Sequence, residues 1–69
     1  MEILSPGVLL RPIGRPIIWA IVGQNWRNLG FIEPGSVMLL VATTEADLAF
    51  VVCGYRAGYV RYGWIERLP

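Results

Sequence analysis

Sixty-nine residues with six arginines, five acids, no lysine and no histidine make a near-neutral chain, formally +1, that is more than half apolar. A single cysteine excludes an internal disulfide, and without histidine or a cysteine cluster a structural zinc site is excluded too. The charge balance gives no strong electrostatic case for nucleic acid, which normally needs a clearly basic face. At this length a chain buries only about 60% of the surface it exposes when unfolded. One domain over residues 1–69 is therefore expected, and the apolar excess reads as surface for burial between chains.

The elements follow from the spacing of glycine and proline, which punctuate the chain evenly in the manner of an all-β protein. Ser5-Pro6-Gly7 is a turn before a short extended run at residues 8–11. Pro12, Gly14 and Pro16 forbid a regular helix across the next segment. Residues 17–22 are apolar and β-branched and predict a strand; 23–25 read as a turn, and 26–32 fit a loop, a strand or a helical turn. Pro34-Gly35 then opens a strand over 36–43, a polar hairpin loop at Thr44-Glu45-Ala46-Asp47, and a return strand over 48–55. Arg56-Ala57-Gly58 is expected to turn the chain into a third short strand at 59–62, with Gly63-Trp64-Ile65 closing the meander. The two apolar runs, 37–42 and 48–53, fall far short of the roughly 18 residues of a helical span. The start, Met1-Glu2-Ile3, lacks the basic region of a signal peptide, so a cytoplasmic location is expected.

The pattern from Gly35 to Leu68 is a glycine, an apolar strand, a polar hairpin, a second strand, Gly58, Gly63-Trp64-Ile65 and a final leucine. It resembles the distal half of SH3-like domains, the bacterial type in particular, with Gly7-Val8-Leu9-Leu10-Arg11 similar to the opening strand of that family. The resemblance implies a small barrel of about five short strands. The acidic cluster of its peptide-binding eukaryotic members is absent, so polyproline recognition is not implied. SH3-like barrels bind peptides, nucleic acids and cell-wall material and also build assemblies, so the fold leaves the function open.

The chemistry-bearing residues are few. Ser5, Ser36, Thr43, Thr44 and Cys53 could act as nucleophiles only beside a base, and histidine is absent. Cys53, between Val52 and Gly54 in an apolar strand, reads as structural. Glu45 and Asp47 read as turn-forming and solubilising residues of the hairpin loop. Gly54, Gly58 and Gly63 are spaced for turns and not for cradling a phosphate. No catalytic residue, no metal site and no cofactor is expected.

What stands out is Tyr55, Arg56, Tyr59 and Arg61, with Trp26 from the first half, because tyrosine, tryptophan and arginine dominate binding hot spots. Trp19, Tyr62 and Trp64 are equally expected to fill the core. The central strands are apolar on both faces, Val37, Leu39 and Val41 opposing Met38, Leu40 and Ala42, and a strand of this kind is covered on both sides. Met38, Leu40 and Val51 are taken as the residues that meet another subunit. The sequence thus points to a non-catalytic module acting through protein contacts, a homo-oligomer or a component of a phage or bacterial assembly. Single-stranded nucleic-acid binding by arginine-interleaved aromatics is the alternative. A pore-type oligomeric enzyme, of the kind small barrels form in type II dihydrofolate reductases, is the third reading.

Overall fold

The structure is a computed structural model that describes residues 4–44 and 46–69. The readings placed on Met1, Glu2 and Ile3, and on Glu45 in the hairpin loop, lie outside the described residues. The fold is all-β. Among the described residues the strands are β1 (Leu9–Pro12), β2 (Ile17–Val22), β3 (Asn25–Phe31), β4 (Met38–Thr43), β5 (Leu48–Cys53), β6 (Arg56–Arg61) and β7 (Ile65–Arg67), with a 3-10 turn at Tyr62–Trp64 before the last. Among the described residues no helix is long and apolar enough to cross a membrane.

All pairings are antiparallel and join one sheet in the order β3-β2-β6-β5-β4-β1-β7. The expected barrel of about five strands is thus a seven-stranded sheet that does not close, since β3 and β7 end it without pairing to each other. The added strands have clear origins. Residues 26–32, ambiguous as sequence, become β3 because Gly23-Gln24 makes a two-residue turn between Val22 and Asn25. Gly23 has φ +64, the backbone that a tight hairpin of this kind demands at its first turn position. The same device moves the second tight turn of the meander. Gly54, with φ +62, and Tyr55 form it, and Cys53 pairs with Arg56 across it. Arg56, Ala57 and Gly58, expected as a turn, therefore lie in β6.

One face of the sheet supplies the core. Leu10, Ile18, Ile32, Met38, Leu40, Ala49, Val51 and Val60 are fully or almost fully buried, with Leu4, Cys53 and Ile65 close behind. Among the described residues no second layer covers them, so the sheet is curled around its own inner face. β2 meets β6 through a single registered pair, Trp19 with Tyr59. The N-terminal segment is tied down by the Leu4 backbone N–H, which donates to the Tyr62 hydroxyl at 2.9 Å.

Arg56 stitches the open edge. Its Nη1 donates to the carbonyl of Leu29 at 3.2 Å and to that of Phe31 at 3.1 Å, satisfying two acceptors of an edge strand from across the fold. Hydrogen bonds from a charged donor contribute about 1.5–3 kcal/mol, and here the bond to Leu29 is part-buried while that to Phe31 is exposed. Arg56→Ala is accordingly expected to lower stability by about 1–2 kcal/mol, read by urea unfolding; an unchanged midpoint would remove the stitch from the account.

Candidate binding face

The buried core contains no aromatic residue among the described residues. That is unusual, because large rings are the most effective way to fill a small interior. All three tryptophans are instead on or near the outer face, Trp26 and Trp64 about half exposed and Trp19 partly so. The expectation that Trp64, Trp19 and Tyr62 fill the core is met only in part by Tyr62, which packs against the core from its edge. Trp64 lies over Gly14, where an added Cβ would stand 3.5 Å from the indole.

Strand alternation explains the sorting. On β6, Gly58 and Val60 point inward while Tyr59 and Arg61 point outward; on β5, Ala49, Val51 and Cys53 are inward while Leu48, Phe50 and Val52 are outward. Phe50 and Tyr59 face each other across the ladder with ring centroids 5.0 Å apart, and Trp26 meets Tyr59 edge-on at 5.6 Å. Edge-to-face pairs at these distances are favoured by the ring quadrupoles.

Beside these rings lies a groove of about 470 Å³ lined by Trp19, Trp26, Ala46, Asp47, Leu48 and Arg61. A second hollow of about 270 Å³ shares Trp19 and Arg61 with it and continues past Phe31 and Trp64 to Arg15. Arg15 is engaged: it bridges Glu33 at 2.9 Å and stacks over the Phe31 ring at 5.0 Å. The groove wall formed by Ala46 and Asp47 is held by local bonds. The Thr44 hydroxyl accepts from the Ala46 N–H, the Thr44 N–H donates to the Leu48 carbonyl at 2.9 Å, and the Tyr62 N–H donates to the Asp47 carbonyl at 2.9 Å. Asp47 sits at φ +61, a left-handed backbone that aspartate tolerates better than most residues. Asp47 and Arg61 both line this groove, and no ion pair joins them.

Of the sequence-chosen cluster, Trp26, Tyr59 and Arg61 are therefore brought together. Tyr55 and Arg56 are not. Tyr55 stands 97% exposed on the hairpin turn at the far end of β5 and β6, and Arg56 is occupied by the β3 carbonyls. Sequence reasoning missed Leu48, Ala46 and Asp47 as groove residues, although the hairpin loop placed beside an arginine strand was the available signal.

The subunit-facing assignment is reversed. Met38, Leu40 and Val51 are buried inside the chain itself and have no surface to offer, because the inward positions of β4 and β5 fall on them. The outward set is Val37, Leu39 and Val41, each more than two-fifths exposed. Register carries the patch across strands: Leu9 pairs with Leu39 and Leu39 with Val52, a line of aliphatic side chains over β1, β4 and β5. Ala42 also ends up exposed, since the pairing shifts between Leu40 and Ala42 and interrupts strict alternation.

Cys53 is buried, and among the described residues no group of three potential ligands is placed to hold a metal ion. Comparison with protein-family models, with curated proteins and with solved structures finds no match for this chain.

Proposed function

We propose that the chain is a non-catalytic, SH3-like interaction module that acts through protein contacts, and first of all through self-association on the outer face of its sheet. The observation that carries this reading is the aliphatic line Leu9–Leu39–Val52 with Val37 and Val41 beside it. It is contiguous and contains no charge, and water-exposed apolar patches of this kind mark interaction sites. A patch without charge offers nothing to steer a charged partner but is complementary to itself, as an isologous contact between copies requires. The single-stranded nucleic-acid reading draws on the surface tryptophans and Arg61. Asp47 in the same groove and a net charge of only +1 leave it little attraction for phosphates.

The deciding measurement is the molar mass by light scattering on a sizing column at micromolar concentration. The wild-type chain is expected to elute above the monomer mass, and Leu39→Lys to elute at a lower mass than the wild type, having lost the contact made by this face, with an unchanged circular dichroism spectrum. A wild-type chain that stays monomeric throughout the range would refute the reading.

A further inference from the structure

The groove at one end of the β5–β6 hairpin and the exposed tyrosine at its other end have matching chemistry. Trp19, Trp26, Ala46 and Leu48 give the groove apolar walls, while Arg61 provides hydrogen-bond donors and Asp47 an acceptor. A ligand that satisfies all of these has a flat apolar body and one polar group that both donates and accepts. A phenol is such a group: its hydroxyl can give its proton to a carboxylate and accept from a guanidinium, and its ring can pack on indole. The chain presents one phenol at nearly full exposure, Tyr55, on a two-residue turn with nothing packed around it.

Tyr55 cannot enter the groove of its own chain. Leu48 pairs with Arg61 at the groove end of the ladder and Cys53 with Arg56 at the turn end. Five residue steps at about 3.4 Å put the two ends roughly 17 Å apart along a stiff hairpin. The knob and its hole therefore meet only between chains. Resting on the self-association proposed above, we infer that Tyr55 of one copy docks in the Trp19–Trp26–Asp47–Arg61 groove of the next. Such a contact is head-to-tail, and it builds a ring or a filament where a two-fold contact alone stops at a pair. Asp47 favours this occupant over a phosphate-bearing one, which its carboxylate would repel.

The test uses the full chain and two surface variants. Tyr55→Ala removes the knob and leaves the groove; Arg61→Glu removes the donor from the groove and leaves the knob. Both positions are exposed, so circular dichroism is expected to match the wild type. In light scattering over a concentration series, the wild type is expected to grow beyond a pair of chains. Each variant alone is expected to stop at the pair held by the Leu39 face, and Tyr55→Phe to grow less than the wild type. Mixing the two variants in equal amounts restores growth, because pairs carrying only knobs meet pairs carrying only grooves. Assembly beyond a pair that survives in both variants overturns the knob-and-groove contact while leaving self-association standing. So does a wild type that stops at a pair, or a mixture that fails to regrow. A monomeric wild type removes the underlying reading as well.

Discussion

Replacing Gly58 by alanine is expected to destabilise the fold by about 3 kcal/mol or more, although the change adds one methyl group to a residue with no special backbone angle. Gly58 is absent from the glycines with left-handed φ; its requirement is for space. A Cβ there would press on the backbone carbonyl oxygen of Trp19 more closely than real Cβ atoms approach, and would stand 3.0 Å from Ile18 Cγ1. The obstacle is backbone, so relief demands that β2 move away from β6. Those strands are joined by the single registered pair Trp19–Tyr59, directly beside Gly58. Moving β2 would open the joint between β3-β2 and the remaining five strands and draw the fully buried Ile18 outward. For a domain of this size each kcal/mol shifts the melting temperature by about 4–8 °C, so a fall of at least about 12 °C is expected in a thermal melt. Gly63→Ala is the matched control. Gly63 has neither a left-handed φ nor any atom within 4 Å of its added Cβ, and the substitution is expected to stay within about 0.5 kcal/mol of wild type. If Gly58→Ala melted alongside the control, the close β2–β6 crossing would be wrong.

Gly58 also shows where sequence reasoning stops. As sequence it reads as a hinge of a tight turn, since an Arg-Ala-Gly triplet between two apolar runs has the composition of one. The turn is formed four residues earlier, by Gly54 and Tyr55, and both placements satisfy the local pattern. What separates them is the approach of β2, a strand some forty residues upstream, and a distant backbone leaves no trace in local composition. Residues 17–22 and 48–53 were legible because runs of β-branched and apolar residues between turn signals have few alternatives. β3 was not: Asn25–Phe31 mixes polar, aromatic and glycine residues, and it is a strand because the Gly23-Gln24 turn lays it on β2. The hot-spot cluster was legible by residue type and only partly by place. Tyr59 and Arg61 share the outer face as alternation requires, while Tyr55 is carried to the opposite end by the register of the hairpin. Period-two alternation can say that Leu39 and Leu40 point opposite ways. It cannot say which way is inward when both sets are apolar, and the curl of the sheet decides it.

That decision has a sharp consequence in two adjacent leucines. Leu40→Ala is expected to cost about 2–5 kcal/mol, the range for truncating a buried leucine whose neighbours cannot fully collapse into the gap. Leu40 is 1% exposed and lies in the same core as Met38, Val51 and Val60. A domain of this size has only about 3–10 kcal/mol of total stability, so the variant is expected to be largely unfolded well below the wild-type melting point. Leu39→Ala removes the same atoms from the adjacent position, and in a dilute monomer is expected to cost less than about 1 kcal/mol, because Leu39 is already 42% exposed. The difference reappears with concentration. Association that favours the folded state raises the melting temperature as concentration rises, so the wild type is expected to melt higher when concentrated. Leu39→Ala should flatten that dependence, while Leu40→Ala should lower the whole curve and keep its slope. Equal losses from the two truncations would mean that β4 does not divide into a core face and a contact face. A flat wild-type curve would mean that the aliphatic line Leu9–Leu39–Val52 is left open to water.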